Sequence, residues 1–141
     1  MVLISRIHGE IEYKEDDIIR FEKGMLGLEE LKQYLLVKLD EYNPFYLLQS
    51  IDDEDIGFIL ACPFDFHNEY ELDLKQEVLD RLKIEKEEQV MTFTTVTLNT
   101  DPNKITTNLK APIIINNTNK LGEQIILDKD KYKIKHPLMK E

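Results

Sequence analysis

The chain has 141 residues, of which 42% are hydrophobic, and its 28 acidic and 18 basic side chains give a formal net charge of −10 at pH 7. This length and composition predict one folded domain, residues 1–141, rather than a disordered chain. The charge argues against direct binding to nucleic acid or to an anionic membrane surface, because both carry like charge, and it favours attraction to a basic partner.

Short segments rich in β-branched and aromatic residues alternate with turn residues along the chain. The ten predicted β-strands are 2–8, 10–13, 18–21, 34–39, 45–50, 57–61, 90–98, 104–109, 113–116 and 124–127. Pro63 closely follows the strand at 57–61 and argues against its extension as a central strand, because proline has no N–H to donate.

Two segments interrupt this β pattern. Apolar residues at helical spacing predict a helix over 75–82, with Asp73 as its N-cap and Gln76 three residues later. A shorter helical turn is predicted over 28–32. The fold class is therefore mostly β, a compact antiparallel β-barrel or sandwich with one or two short helices.

Residues suited to catalysis or metal binding form no recognisable motif. His8, His67 and His136 are far apart, and no pair of them has the spacing of two ligands on one helix. Cys62 is the single cysteine and is interpreted as a small buried hydrophobe. We therefore predict no catalytic residue, no metal and no cofactor, which favours a binding module over an enzyme.

The expected compartment is the cytoplasm. One cysteine excludes an internal disulfide, as expected for a protein in a reducing environment. The first residues lack the basic and long apolar regions of a signal peptide, and the apolar runs are too short to span a bilayer.

Gly24 and Gly27 flank Met25 and Leu26 in a G-x-x-G segment. The Lys-Ser/Thr pair of a phosphate-binding loop does not follow it, and its flanks are mostly acidic. We interpret both glycines as parts of a structural turn with positive φ at one or both positions.

Four different segments follow one another in a characteristic order and spacing. They are FEKGMLGLE at 21–29, PFYLLQS at 44–50, NLKAPIIIN at 108–116, and Tyr132 with HPL at 136–138. Together they resemble the family of flagellar assembly factors called FliW, over nearly the whole chain. The chain departs from the family at Leu26 and Leu28, near which members usually have proline and phenylalanine.

The resemblance implies a cytoplasmic, non-enzymatic regulator with two protein partners. One is flagellin, bound through its terminal helical region before export. The other is the RNA-binding translational repressor CsrA, which the free regulator binds away from the RNA-contacting surface, so that repression of flagellin translation is relieved. The protein would then contact no nucleic acid and no membrane directly, and we expect it to be a monomer when free.

Aromatic residues are the first candidates for contact with a partner. Phe64 and Phe66 stand in a predicted loop with acidic neighbours, and Phe45 begins a predicted strand. Such rings often anchor protein interfaces. The alternative, favoured for most of this set, is that the rings lie in the core. The full set is Phe45, Tyr46, Phe64, Phe66 and Tyr70.

A second set of candidates lies at a strand end and around the proline of the third segment. These residues are Gln49, Asn108, Leu109, Ala111, Pro112 and Asn116. Pro112 in a β-rich stretch implies an edge strand or bulge whose exposed backbone would accept a partner strand. In the alternative interpretation, the two asparagines satisfy turn backbone and Gln49 belongs to an ordinary strand end.

Acidic runs are the predicted electrostatic contacts, with an ordinary solvated surface as the alternative. They are residues 15–17, residues 52–55, and Glu85, Glu87 and Glu88.

Two other functions stay open at this stage. One is a small enzyme with paired carboxylates, and the other is a ligand-binding β-barrel with an apolar interior.

Overall fold

A two-stranded antiparallel hairpin begins the fold. The computed structural model describes residues 1–42, 44–67 and 69–138. Strand β1 (Val2–Ser5) pairs with β2 (Gly9–Glu12), and its buried Leu3 packs against Leu35 of the main sheet. The predicted strand 2–8 is shorter than expected, because the Ser5 hydroxyl accepts hydrogen bonds from the N–H groups of residues 7 and 8 and turns the chain.

Nine further strands form the main sheet. They are β3 (Ile19–Arg20), β4 (Gln33–Lys38), β5 (Tyr46–Ser50), β6 (Gly57–Ala61), β7 (Val90–Thr97), β8 (Thr106–Thr107), β9 (Ile113–Asn116), β10 (Leu121–Gln124) and β11 (His136–Pro137). Their order is β11-β8-β7-β6-β5-β4-β3-β10-β9, and β9 also pairs with β7, so seven strands close into a barrel. Among the strand pairs of the described residues, only the contact of β10 with β3 is parallel. The predicted fold class, mostly β with few helices, is confirmed.

Side chains fill the barrel interior. The largest central cluster includes Phe21, Tyr34, Leu48, Leu60 and Ile113, each fully buried. The rings of Phe21 and Tyr34 meet edge to face with centroids 5.1 Å apart. This packing disfavours a ligand-binding interior, because the apolar space is occupied by the chain itself.

The Tyr34 hydroxyl lies in this core and has no hydrogen-bond partner among the described residues. Burial raises the pKa of Tyr34 to about 12, because the phenolate would have to lose its hydration there.

One α-helix packs on the outside of the barrel. Helix α1 (Gln76–Arg81) lies within the predicted range 75–82, and Val78 packs against Ile114 of β9. The predicted N-cap is wrong: Lys75 precedes the first helical residue, and the Asp73 carboxylate contacts Lys129 Nζ at 3.1 Å instead. None of the described helices is long and apolar enough to cross a membrane.

The predicted helical turn over 28–32 is also wrong. The N–H of Leu28 donates to the Met25 carbonyl and the N–H of Leu31 donates to the Leu28 carbonyl, which makes two successive turns. Gly27 stands inside the first turn with a φ of 86°. This left-handed residue keeps the first turn from continuing as a right-handed helix, and the single bond from Leu31 to Leu28 makes the second turn too short to be one.

Two late strands differ from their predicted ranges. The predicted strand 104–109 is reduced to β8, because residues 102–104 form a 3-10 turn in which the Asp101 carboxylate accepts from Asn103 N. The predicted strand 124–127 begins earlier, at Leu121. Beyond Gln124, Ile125 N donates to Pro112 O and Leu127 N donates to Lys110 O, in the segment before β9.

Candidate partner-binding site

Aromatic side chains from three separate segments meet at one end of the barrel. We call this group the aromatic cluster, and its members are Phe45, Phe64, Phe66, His67, Tyr70, Tyr132 and His136. Phe45 precedes β5 and stacks on Phe66 with ring centroids 6.5 Å apart. Of the three predicted candidates, Phe45 and Phe66 stack on each other, whereas Phe64 meets Tyr70, and the turn that begins at Pro63 joins the two groups.

A proline-initiated turn presents the two phenylalanines of this cluster. Pro63 stands at the start of a 3-10 turn over residues 63–65, where its fixed φ is suitable and its missing N–H costs no bond. The N–H of His67 closes the turn on the Pro63 carbonyl at 2.9 Å. Phe64 consequently projects outward, with 42% of its surface exposed, whereas Phe66 is half-buried.

Two buried tyrosines support the exposed rings. The Tyr70 and Tyr132 rings lie 4.7 Å apart, and Phe64 meets Tyr70 edge to face at 5.7 Å. The Tyr70 hydroxyl donates to the Leu109 carbonyl at 2.7 Å, and the Tyr132 hydroxyl accepts from the N–H of Glu71. Burial, with a smaller effect of Tyr132, raises the pKa of Tyr70 well above its usual value.

Two histidines that are distant in sequence stack in this cluster. The His67 and His136 rings are 5.6 Å apart and nearly parallel, and His67 also meets Tyr132 at 6.1 Å. The pairing of β11 with β8 brings His136 there, opposite Thr107. In the described part of the chain no group of three or more acidic, histidine or cysteine side chains is suited to hold a metal ion.

Cys62 lies at the base of the same turn and is half-buried rather than fully buried as interpreted from the sequence. Its position between β6 and the turn leaves part of the side chain accessible. Burial nevertheless raises the pKa of its thiol, which favours the unreactive protonated form.

The segment 108–112 forms a bulge between β8 and β9. The Asn108 side-chain oxygen accepts from the N–H groups of Lys110 and Ala111, both at 3.1 Å, which is the turn-stabilising alternative weighed above. Leu109, Ala111 and Pro112 are buried. Leu109 supports the aromatic cluster through its carbonyl.

The bulge is not the open edge that Pro112 suggested. Its carbonyls already accept hydrogen bonds from the passing segment 125–127: Ile125 N donates to Pro112 O at 3.0 Å and Leu127 N to Lys110 O at 2.8 Å. The Gln124 side chain donates to Ala111 O. These backbone groups are therefore occupied, because the chain itself covers the edge.

Two predicted candidates lie elsewhere, and both are fully buried. The Gln49 side chain accepts from the Ser5 hydroxyl at 2.6 Å and donates to backbone carbonyls such as Ile56 O at 3.0 Å, so it joins the hairpin to the barrel. The Asn116 side chain donates to Leu82 O at 2.8 Å and accepts from Thr118 N at 2.9 Å. Both amides satisfy backbone groups and present no exposed surface.

The predicted glycine turn builds one wall of a second surface feature. Gly24 has a φ of 68°, and a Cβ there would lie 2.5 Å from the Glu29 backbone, so only glycine fits without a shift. Gly27 donates its N–H to the Glu29 carboxylate at 2.9 Å, and this bond is the main cause of the lowered pKa of Glu29. The predicted positive φ at these positions is confirmed.

This turn, helix α1 and the segment after β10 enclose a groove of about 680 Å³. We call it the edge groove, and its apolar lining includes Leu26, Val78, Ile125, Ile126 and Leu127. Leu26 and Ile126 are 48% and 58% exposed, which is unusual for such large apolar side chains. Leu26 N donates to the Gln124 side chain at 3.1 Å and joins the two walls.

Sequence reasoning missed the edge groove because its walls come from three segments that are distant along the chain. One signal was available, namely the three consecutive apolar residues 125–127. An extended segment with one buried face buries only alternate side chains, so one member of such a run must face outward.

The acidic runs are partly structural. The Asp52 carboxylate accepts from the N–H groups of Lys32 and Gln33, and Asp55 pairs with Arg6 at 2.6 Å. The exposed acids of these runs whose carboxylates have no such contact with a described residue are Glu15, Asp16, Glu54, Glu85, Glu87 and Glu88.

Comparison with known proteins gives consistent matches over the whole chain. A family model described as FliW protein matches residues 3–138. The flagellar assembly factors FliW of Clostridium botulinum strain Alaska E43 and Clostridium beijerinckii are 57% and 55% identical over 141 residues, with 100% of each chain covered. A crystal structure of the flagellar assembly factor FliW superposes with a TM-score of 0.94 at 40% identity, covering 100% of this chain and 99% of the other.

Proposed function

Because this chain belongs to the FliW family of flagellar assembly factors, as the four-segment resemblance predicted, we propose that it is a non-enzymatic cytoplasmic regulator with two protein partners. A role in flagellar assembly follows from the family. In the finer proposal, the protein binds flagellin before export and, when free, binds a CsrA-type RNA-binding repressor. That second complex forms away from the repressor's RNA-contacting surface and relieves repression of flagellin translation.

The observation that carries this proposal is the match along the complete length of the chain. The family model extends from residue 3 to residue 138, and the curated relatives are covered over 100% of their own length. The similarity therefore includes both the aromatic cluster and the edge groove, rather than the barrel core alone.

We assign the aromatic cluster to the repressor. Exposed aromatic rings on a rigid base are typical anchors of protein interfaces. Phe64 is such a ring, and the adjacent Asp65 and Glu69 are exposed acids. An RNA-binding repressor carries basic surface, so this combination suits it in both shape and charge.

The net charge of −10 supports the same assignment through association kinetics. An acidic protein attracts a basic partner over distances of about 10 Å at moderate salt. The complex should therefore form more slowly at high salt, and the flagellin complex should be less sensitive.

Isothermal titration calorimetry tests the proposal with purified flagellin and purified repressor at low and high salt. We expect micromolar or tighter binding of each, with a stronger salt dependence for the repressor. Phe64→Ala should weaken the repressor complex about tenfold, as for an interface anchor. Ile4→Ala is the matched control, since Ile4 is 55% exposed on the hairpin. Absence of both complexes would contradict the proposed function.

A further inference from the structure

The edge groove contains an extended segment beyond the end of β10, residues 125–127, one side of which is bonded to the bulge. Ile125 and Leu127 direct their N–H groups to the bulge, and successive peptide groups of an extended chain point to opposite sides. The N–H and C=O of Ile126 therefore point away from the bulge, and they form no hydrogen bond with any described residue. A strand edge without a neighbour is a template for an added strand.

The charged rim of the groove is largely neutralised within the protein. Arg81 and Glu123 form a two-pronged ion pair at 2.8 and 2.7 Å. Lys129 contacts Asp73 at 3.1 Å. Lys75 and Asp128 lie 3.8 Å apart, Lys23 and Glu77 add one charge of each sign, and Glu29 leaves a single negative charge in excess. The groove thus offers apolar surface with a nearly balanced rim, which suits an apolar segment better than a strongly basic protein.

The free backbone groups select the conformation of the occupant. A helix bonds its own backbone, so a helix over Ile126 would bury these two groups without partners at a cost of about 1–3 kcal/mol each. An extended segment pairs with them and places alternate side chains against Leu26 and Val78.

We propose that an extended, apolar segment of flagellin, adjacent in its chain to the terminal helical region that the resemblance implies, docks in the edge groove by pairing with the backbone of Ile126. This inference rests on the proposed function, because flagellin is the partner that it assigns to the groove. The segment pairs its backbone with the Ile126 N–H and C=O, and its apolar side chains cover the exposed Leu26 and Ile126 side chains.

The test uses full-length monomeric flagellin, titrated calorimetrically into the wild-type protein and two matched variants. Ile126→Asn removes the apolar contact in the groove, and Ile4→Asn makes the same change at a similarly exposed position on the hairpin. We expect Ile126→Asn to weaken flagellin binding at least about tenfold and Ile4→Asn to leave it unchanged. Leu26→Asn, on the opposite wall, gives the same result independently if Ile126→Asn folds poorly.

Amide hydrogen exchange distinguishes an added strand from other modes of docking. Exchange at Ile126 should slow at least about tenfold in the flagellin complex, because the N–H then donates to the added strand. Unchanged exchange at Ile126 would overturn the proposal in favour of a helical occupant.

The remaining outcomes separate this inference from the function on which it rests. Equal binding of flagellin to the wild-type, Ile126→Asn and Leu26→Asn proteins overturns the groove assignment alone. Loss of repressor binding in Ile126→Asn with flagellin binding intact overturns it too, because the groove then serves the other partner. No binding of flagellin to the wild-type protein overturns both the groove assignment and the flagellin part of the proposed function.

Discussion

The aromatic cluster and the edge groove are both surfaces with exposed apolar side chains, but their supports differ. Phe64 rests on the buried rings of Tyr70 and Tyr132, so its surface is the outer layer of a packed hydrophobic cluster. Ile126 is held by the bonds of its neighbours Ile125 and Leu127 to the bulge, and its own backbone groups bond no residue that the structure describes. The cluster is therefore a preformed side-chain anchor, whereas the groove is an incomplete sheet.

The two surfaces share the bulge at 108–112. The Leu109 carbonyl accepts from Tyr70 on the cluster side, and the Lys110 and Pro112 carbonyls accept from the groove segment. A shift of the bulge would alter both surfaces. Any effect of one partner on the affinity for the other would then be reciprocal.

The largest expected effect comes from removing the support of the cluster. Tyr132→Ala deletes a buried ring packed against Tyr70 and the hydroxyl that accepts from Glu71 N. It should lower the free energy of unfolding by about 3–4 kcal/mol. Urea unfolding measures this change, and Ile126→Asn in the groove should cost less than about 0.5 kcal/mol. Equal losses of unfolding free energy in Tyr132→Ala and Ile126→Asn would contradict the difference in support between the two surfaces.

The edge groove contains an ion pair, Arg81–Glu123, whose loss should lower the free energy of unfolding. Arg81→Met leaves the Glu123 carboxylate buried without its two-pronged partner. Because the Arg81 side of the pair is partly exposed, we expect a loss of about 1–2 kcal/mol rather than the larger cost of a fully buried pair. Glu123→Gln combined with Arg81→Met should recover part of the loss in urea unfolding. A double variant less stable than Arg81→Met alone would exclude this cause.

The cluster should also respond to alkaline pH. The pKa of Tyr70 is raised in the folded protein, so its contribution to stability is complete below the usual tyrosine pKa of about 10 and declines as the pH rises above it. Tyr70→Phe should therefore lose about 1 kcal/mol at neutral pH with its hydrogen bond and show a smaller decline above pH 10. Urea unfolding over a pH series checks the difference, and parallel pH profiles would contradict it.

The barrel core beneath both surfaces provides a reference position, where a substitution should change the stability but not the binding of either partner. Tyr34→Phe removes a buried hydroxyl without a partner among the described residues and should raise the stability by up to about 1 kcal/mol. Binding of both partners should be unchanged, because the ring stays in place. A thermal unfolding scan with calorimetric titration checks both expectations, and a destabilised variant would show that the hydroxyl has a role.

The difference between local patterns and long-range contacts explains what the sequence allowed us to predict. The strands, the outer helix and the glycine turn depend on local patterns, and most were found near their predicted places. The N-cap of α1 was misjudged because the Asp73 carboxylate pairs with the distant Lys129, whereas β8 is shorter because the local turns at 102–104 and 108–111 bound it. Phe45, Phe64 and Phe66 were predicted as candidates, but the stacking of Phe45 on Phe66 and of His67 on His136 joins segments that are distant in the sequence, and β11 places His136.

Buried polar residues were the hardest to interpret. Gln49 and Asn116 look like ordinary surface amides in the sequence, yet Gln49 accepts from the Ser5 hydroxyl and Asn116 donates to the Leu82 carbonyl, both in distant segments. The edge groove gave even less local signal, since the unpaired Ile126 backbone becomes visible only when its neighbours are known.

One measurement tests most directly whether the aromatic cluster binds the repressor and the edge groove binds flagellin. Phe64→Ala and Ile126→Asn are each titrated calorimetrically with flagellin and with the repressor. The account predicts that Phe64→Ala weakens the repressor complex about tenfold and spares flagellin, whereas Ile126→Asn does the reverse. Equal weakening of both complexes by either substitution would contradict it.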